Sequence, residues 1–496
     1  MGKYEITLRS ADEYEAKLRD EGMVIADFAA RRDKTESLLR EKAKEQQAGL
    51  GDYQRLLDEV TALVEHPSVY VGEFDKAYLD IPQECLILTM RQNQRYFPLF
   101  DAAGTLLPKF LIVSNMKLAD PRNIIDGNQR VVRPRLEDAR FFFSQDRRIR
   151  LEERVPQLAK VVHHNKLGSQ LERVQRIKLL AGKIARLLGA DVMQTERAAE
   201  LAKADLLTGM VGEFPELQGI MGRYYAQHDR EPQAVADAIE AHYRPRFAGD
   251  RLPEGPIACA VALADKLDAL AGLFSVREIP TGDKDPFGLR RVALGVIRIV
   301  VENQLPLPLW DLVDAAFEPF KNKAQTDLRG FFYDRFSGYL KDQGFSTLQV
   351  DAVLSTHPTQ LSVVPRQLEA VKAFQALPEA ESLAAANKRV ANILKQAAAK
   401  GESYGNADRK VLKEPAEVAL FDALEKTSGS ASKLFERGDY AGYLKTFAAL
   451  KTPVDAFFDK VMVMVEQDAL RKNRLALLSD LRKAMNRVAD ISKLAA

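Results

Sequence analysis

PVDAFFDKVMVMVEQDALRKNRLALL, residues Pro453 to Leu478, is the most informative stretch of this chain. Read on a helix, Val454, Phe457, Phe458, Val461, Met462 and Val465 recur at three- and four-residue intervals and make one apolar stripe. Pro453 suits the first turn of that helix, where its missing N–H costs nothing. Arg471, Lys472, Asn473 and Arg474 follow, three cations and an amide, before apolar residues resume at Leu475. A packed helix followed by a basic corner presents cations to a polyanion from a rigid platform. Any solvated helix start also carries arginine and lysine, so charge alone leaves both readings open.

Composition sets the outer limits. A chain of 496 residues is too long for one core and should hold about three domains. Its 46% apolar and 29% charged residues match a soluble globular protein with ample core material. No run approaches the roughly 18 apolar residues of a membrane span, and Val292–Val301 is broken by Arg298. Ile6 stands where a myristoylation signal needs Ser or Thr, and there is no secretory apolar segment. Two cysteines, Cys85 and Cys259, make no disulfide framework and point to a reducing, cytoplasmic setting. The net charge of +2 decides nothing, because a nucleic-acid binder need only cluster its cations. Clusters exist at Arg130, Arg133, Arg135 and Arg140, and at Arg147, Arg148 and Arg150 after FFFSQD. Interleaved aromatic and basic residues suit RNA. Phe141–Phe143 read as core, and the arginines fit an RNA face or a solvated helix equally.

Along the chain, a strand is expected at Tyr4–Arg9, then charged helices to residue 65. Short β-rich runs at Cys85–Met90, Tyr96–Phe100 and Phe110–Val113, separated by Ala102-Ala103-Gly104 and Pro108, predict a small antiparallel sheet. From about residue 121 the pattern is helical, with breaks at Gly249–Pro256, Pro280–Pro286, Pro306–Pro308 and Gly401–Asn406. Residues 384–400 are Ala/Lys-rich, which favours helix over disorder. No internal repeat interrupts this order.

FFDKVMVM followed by RKNRLALL resembles the helical anticodon-binding domain shared by arginyl-tRNA synthetases and the β subunit of bacterial glycyl-tRNA synthetase. The resemblance to the glycyl β subunit runs on through MRQNQRYFPLFD (90–101), GNQRVVRPRLEDARFFFSQD (127–146) and HHNKLGSQLERVQRI (163–177). It continues in KADLLTGMVGEFPELQGIMGRYYA (203–226), ALADKLDALAGLF (262–274) and PTGDKDPFGLRRVALG (280–295). It implies a predominantly α-helical α+β fold. Residues 1–150 would be an N-terminal α+β region, an incomplete tRNA-editing-like domain, and 151–300 a degenerate HD-like helical domain. Residues 301–383 would be a helical linker or body, and 384–496 the anticodon-binding domain. The family usually begins with a substantial segment ahead of Tyr4–Arg9, so that segment is expected to be lacking here. The implied role is to grip tRNA(Gly) in an α2β2 heterotetramer, with Arg471, Lys472, Asn473 and Arg474 expected to contact the tRNA, while a separate α subunit activates glycine with ATP. This chain would then bind no cofactor itself, and ATP and Mg would serve the holoenzyme.

Three constellations invite chemistry. Active HD domains order their metal ligands His, His-Asp, Asp, so that imidazoles and carboxylates converge on a dication. Here His163 or His164, then Asp205, then Asp265 occupy those places, but the doublet reads Ala204-Asp205, preceded by Lys203. An imidazole is lost and a cation is added, which favours a scaffold over a metal-dependent phosphohydrolase, the alternative function. In GEFPELQG (212–219), Pro215 reads as a turn opening a helix, with Glu213 and Glu216 near its N-terminus. PTGDKDPFGLRR (280–291) fails the Walker pattern, and Asp285 reads as an N-cap with Pro286 as the first helical residue. Lys284, Arg290 and Arg291 around that helix start suit an RNA phosphate or plain capping alike. No adenylation signature of either synthetase class, zinc spacing or Ser–His–Asp set appears, so no catalytic residue is assigned. A tRNA-binding module without synthetase activity is the remaining alternative.

Overall fold

The computed structural model describes Gly2, Lys3 and residues 5–495. They form two compact units, one of Met1–Lys160 and Leu201–Glu240, the other of Val161–Glu200 and Ala241–Ala496. The fold is predominantly helical α+β.

After short helical turns between Ala11 and Gly22, the first long helix of the first unit is α1 (Phe28–Glu45), capped by the Asp27 carboxylate, which accepts from the Ala30 amide at 2.7 Å. Next come α2 (Gln54–Leu63), β1 (Ser68–Glu73), α3 (Gln83–Leu88), β2 (Phe97–Phe100), β3 (Leu106–Ser114) and the long α4 (Arg122–Asp146). The chain then enters the second unit with β4 (Val162–His164), β5 (Gly168–Ser169) and α5 (Gln170–Leu188). It returns to the first for α6 (Gly209–Glu213) and α7 (Ile220–His228).

The three-stranded sheet has the order β1-β3-β2, antiparallel throughout, with Val69 opposite Val113 and Phe97 opposite Leu111. Alternation sends Leu111 into a core with Leu39, Leu57, Phe97 and Leu99, all fully buried. Phe110 points the other way and stacks on Tyr96 at 4.7 Å. A Cβ at Gly72 would stand 2.5 Å from the Phe110 ring, so that ring can lie flat on β1 only because residue 72 is glycine.

Two expectations fail here. Tyr4 lies outside the described residues, and Glu5–Arg9 form no strand. Cys85–Met90 is helical, because Pro82 precedes a turn that buries Cys85, Leu86 and Met90 on one face. A six-residue apolar run has too few positions for its period to decide.

The second unit continues through α8 (Pro256–Ser275), which is buried on almost every side and hence apolar almost throughout. After it come α9 (Leu289–Glu302), α10 (Thr347–Leu354), α11 (Val364–Gln375) and α12 (Ala380–Ala399). Towards the C-terminus follow α13 (Pro415–Glu436), α14 (Tyr440–Thr446), α15 (Lys451–Lys460) and α16 (Asp468–Met485). Leu383, Leu420, Phe457 and Leu477 are fully buried among α12, α13, α15 and α16. No described helix is long and apolar enough to cross a membrane.

Candidate nucleic-acid interface

The Pro453–Leu478 stretch is two helices rather than one continuous stripe. α15 ends at Lys460; Val461 is extended and the chain bends at Val463 and Met464, with Val461 and Val463 buried and Met462 73% exposed. The VMVMV run alternates with period two, and that pattern overrides the helical one. A non-helical segment leaves carbonyls without helical partners, and the arginines supply them. Arg474 Nη1 donates to the Met462 carbonyl at 2.8 Å, and Arg471 Nη1 to that of Val465 at 3.0 Å.

This geometry corrects the reading of the basic corner. Arg474 is 4% exposed, with Nε 2.6 Å from Oε2 of the wholly buried Glu417. Burial alone would raise the Glu417 pKa, but Arg474 and the amides of Glu414 and Lys413 outweigh it and hold the carboxyl below its ordinary value. Asn473 donates to the Asp408 carbonyl at 2.9 Å and accepts from its amide at 2.7 Å. Arg471 is paired with Glu402 at 2.8 Å and Asp468 at 2.6 Å. Of the four, Lys472 alone turns its ammonium outward, and it too meets Asp468 at 2.8 Å. Three of the residues tie the loop at 402–408, the start of α13 and the 461–465 segment to α16.

A different basic surface lies further along α16. Arg482 and Lys483 stand in its last turn, and Asn486 and Arg487 follow directly after its end at Met485. With Lys395 of α12 and Tyr404 they line a groove of about 710 Å³. Ala391 and Ala398 keep its α12 wall low. Arg487 lies 3.8 Å over the Phe435 ring, while Lys483 and Arg482 reach Asp480 and Asp490 only at 3.6 and 3.9 Å. Lys395 has no ion-pair partner among the described residues. Four cations beside a half-buried tyrosine suit a phosphodiester chain with an unstacked base. Sequence reasoning missed this set, although its four-residue rhythm in LSDLRKAMNRV was visible.

The loop before α9 keeps its cations outward. Asp285 caps α9 from a distance, accepting from the amides of Leu289 and Arg290 at 2.8 and 2.9 Å. The helix itself begins at Leu289 after Gly288, so Pro286 sits in a turn and not at the first helical position. Lys284 and Arg291 are exposed, and Arg290 folds back to the Gly282 carbonyl.

The HD-like positions do not fit a dication. Asp265 is claimed by Arg173, whose Nη2 stands 2.9 Å from its Oδ1, and Asp268 by Arg176 at 2.6 Å. These pairs, from i,i+3 positions on both helices, lock α5 to α8. Asp205 Oδ2 accepts from the amides of Gly219 and Gly222 at 2.5 and 3.1 Å and so serves the N-terminus of α7. Burial pushes its carboxyl up to about 6, against those amides and Lys203. Ala204 is buried beside it, whereas His163 and His164 lie on β4 in the other unit. His164 Nδ1 accepts from the Lys166 amide at 3.2 Å, and its ring meets Phe287 edge-on. No group of three His, Cys, Asp or Glu side chains suited to a metal occurs among the described residues. In 212–219 the predicted turn is present, with α7 starting after Gly219, and Glu216 accepts from Gln92 at 3.1 Å.

Comparison with known proteins assigns these features to a lineage. The family model described as glycyl-tRNA synthetase beta subunit matches residues 1–355, and that described as DALR anticodon binding domain matches 383–494. The chain is 58% identical to the glycine–tRNA ligase beta subunit of Aromatoleum aromaticum, over 100% of this chain and 72% of that protein. It is 57% identical to the same subunit from Thiobacillus denitrificans, over 99% of this chain and 71% of the relative. The chain belongs to the glycyl-tRNA synthetase β-subunit family, and its C-terminal helices are a DALR domain.

Proposed function

We propose that this chain is the tRNA-gripping subunit of a glycine–tRNA ligase, with glycine activation on a separate α subunit. Family membership carries the reading, and the basic groove between α12 and α16, inside the anticodon-binding domain, supports it. The chain's contribution is then binding energy and orientation. Holding the RNA in place turns an encounter between two molecules into a positioned reaction without any group of this chain entering the chemistry. In this reading Lys395, Arg482, Lys483 and Arg487 take the anticodon-loop backbone, and Tyr404 takes a base. Lys472 contributes at the rim, and Lys284, Arg290 and Arg291 offer a further phosphate contact. The active assembly is an α2β2 heterotetramer working in the cytoplasm, and ATP and Mg belong to its α subunits.

Two measurements test this. Glycine-dependent pyrophosphate exchange should be absent from the chain alone, and glycylation of tRNA should appear only when the α subunit is added. Replacing Lys395, Arg482 and Lys483 with Ala should weaken tRNA binding and flatten its salt dependence by about one unit for each phosphate that is no longer neutralised. Exchange activity in the isolated chain, free of contaminating synthetase, would overturn the division of labour. Unchanged affinity in the triple variant would remove the groove.

A further inference from the structure

The first unit carries a second cationic surface that the anticodon-binding domain does not account for. Between Arg122 and Arg150 the sequence places eight arginines against four acids. The inner side of α4 is fixed by Val132, Leu136 and Ala139, all fully buried, and by Gln129 Oε1, which accepts from the Glu73 amide at 2.8 Å. The C-terminal end is fixed more firmly. Asp146 accepts from the amides of Gly209 and Met210 at 2.8 and 2.9 Å and from the Tyr225 hydroxyl at 2.9 Å. Arg154 packs beside it at 3.7 Å.

The outer side of this rigid helix is not shaped like a core. Phe141 is 59% exposed and Val131 50% exposed, and Phe142 and Phe143 are only half-buried, which corrects the expectation that all three phenylalanines are core. Several arginines are engaged locally. Arg140 pairs with Glu137, Arg147 lies over Phe143 and 3.0 Å from His228, and Arg150 pairs with Glu152. Arg130, Arg133 and Arg148 are exposed, and the side chains of Arg130 and Arg148 have no hydrogen-bond or ion-pair partner among the described residues.

Exposed cations and an exposed aromatic ring on a pinned helix, with a further exposed cation in the turn after it, are the features of an RNA-binding face. We infer that the outer face of α4 and the turn that follows it hold tRNA outside its anticodon stem-loop, with phosphates on Arg130 and Arg133 of the helix and Arg148 of the turn, and a base or ribose against Phe141. The inference rests on the reading that this chain binds tRNA.

The test uses the full chain and two probes, a complete tRNA(Gly) transcript and its isolated anticodon stem-loop. R130A/R148A should weaken binding of the complete tRNA about tenfold or more and flatten its salt slope by about two units, leaving the stem-loop unaffected. F141A should weaken the complete tRNA about fivefold or more with its salt slope unchanged. R130K/R148K, which keeps both charges, should retain most of the affinity. Wild-type affinity and slope in R130A/R148A and F141A would overturn the inference while leaving the anticodon groove standing. Unchanged tRNA binding with weakened capture of the α subunit would assign the face to protein and overturn it as well. A wild-type chain that binds neither probe would overturn the tRNA reading and this inference together.

Discussion

Arg474 and Lys472 stand two positions apart in one helix and do opposite things. Removing the Arg474 side chain would leave the Glu417 carboxylate buried without its cation, so R474A should cost roughly 3–5 kcal/mol in denaturant unfolding. K472A should stay within about 0.5 kcal/mol, as an exposed lysine does. Equal losses in the two would mean that Arg474 is not internal. Asp205 gives a second case, with the sign fixed by its environment. Its carboxyl titrates near 6 in the fold against an ordinary 3.8, so between those values the native state holds the extra proton. Stability contributed by the protonated acid is full below pH 3.8 and declines as pH rises through 6, by on the order of 2–3 kcal/mol. D205N keeps an acceptor for Gly219 and Gly222 and has no charge to desolvate. The difference in unfolding free energy between pH 4 and pH 7 should therefore shrink in the variant. An unaltered difference would place the titration elsewhere.

At the scale of elements, legibility depended on how far a pattern extends. The helices from 380 onward, the sheet strands at 96–100 and 110–113, and the turn before α7 were readable because their periods persist or their breakers are strong. VMVMV was misread because four residues of helical spacing ran straight into a two-residue alternation. The basic corner was misread for another reason: Glu417, which consumes Arg474, lies 57 residues away in sequence. Periodicity tells which face a cation occupies, not whether a distant carboxylate already holds it. The groove residues Arg482, Lys483 and Arg487 escaped notice because nothing local distinguishes them from an ordinary solvated helix end. The packing of α15 gives a direct check. Phe457 is fully buried, whereas Phe458 is half-buried beneath Arg389 at 4.4 Å. F457A should cost about 3–5 kcal/mol, and F458A less than about 2 kcal/mol. The reverse order would show that the two rings have exchanged places.

For the molecule as a whole, the family was legible from segments spread along nearly the entire chain. The packing around the anticodon-binding domain was not. α14 lies on α11, and the Ile491–Leu494 turn lies on α10, where the Asp490 amide donates to the Ala352 carbonyl at 2.8 Å. Arg366 of α11 lies 5.7 Å over the Tyr440 ring of α14, and Ile491 is 1% exposed. A fragment cut at residue 384 would bare those surfaces, since α10 and α11 both lie before it. A fragment of residues 345–496 should melt cooperatively and at a higher temperature than one of residues 384–496. Equal melting temperatures by calorimetry would show that α10 and α11 add nothing to the domain.

Asp146 also sets a timetable. Its hydroxyl partner Tyr225 follows 79 residues later, and residues 161–200, which belong to the other unit, are synthesised between the two. At roughly 5–20 residues per second, the ribosome takes about 4–16 s to deliver that partner after Asp146 itself is made. For most of that interval Asp146 has only Arg154 beside it, since the amides of Gly209 and Met210 follow 63 and 64 residues after it. The closing step of the first unit is therefore scheduled by translation, and pauses within the codons for residues 161–200 would lengthen the time that the α4 arginines and phenylalanines spend without their platform.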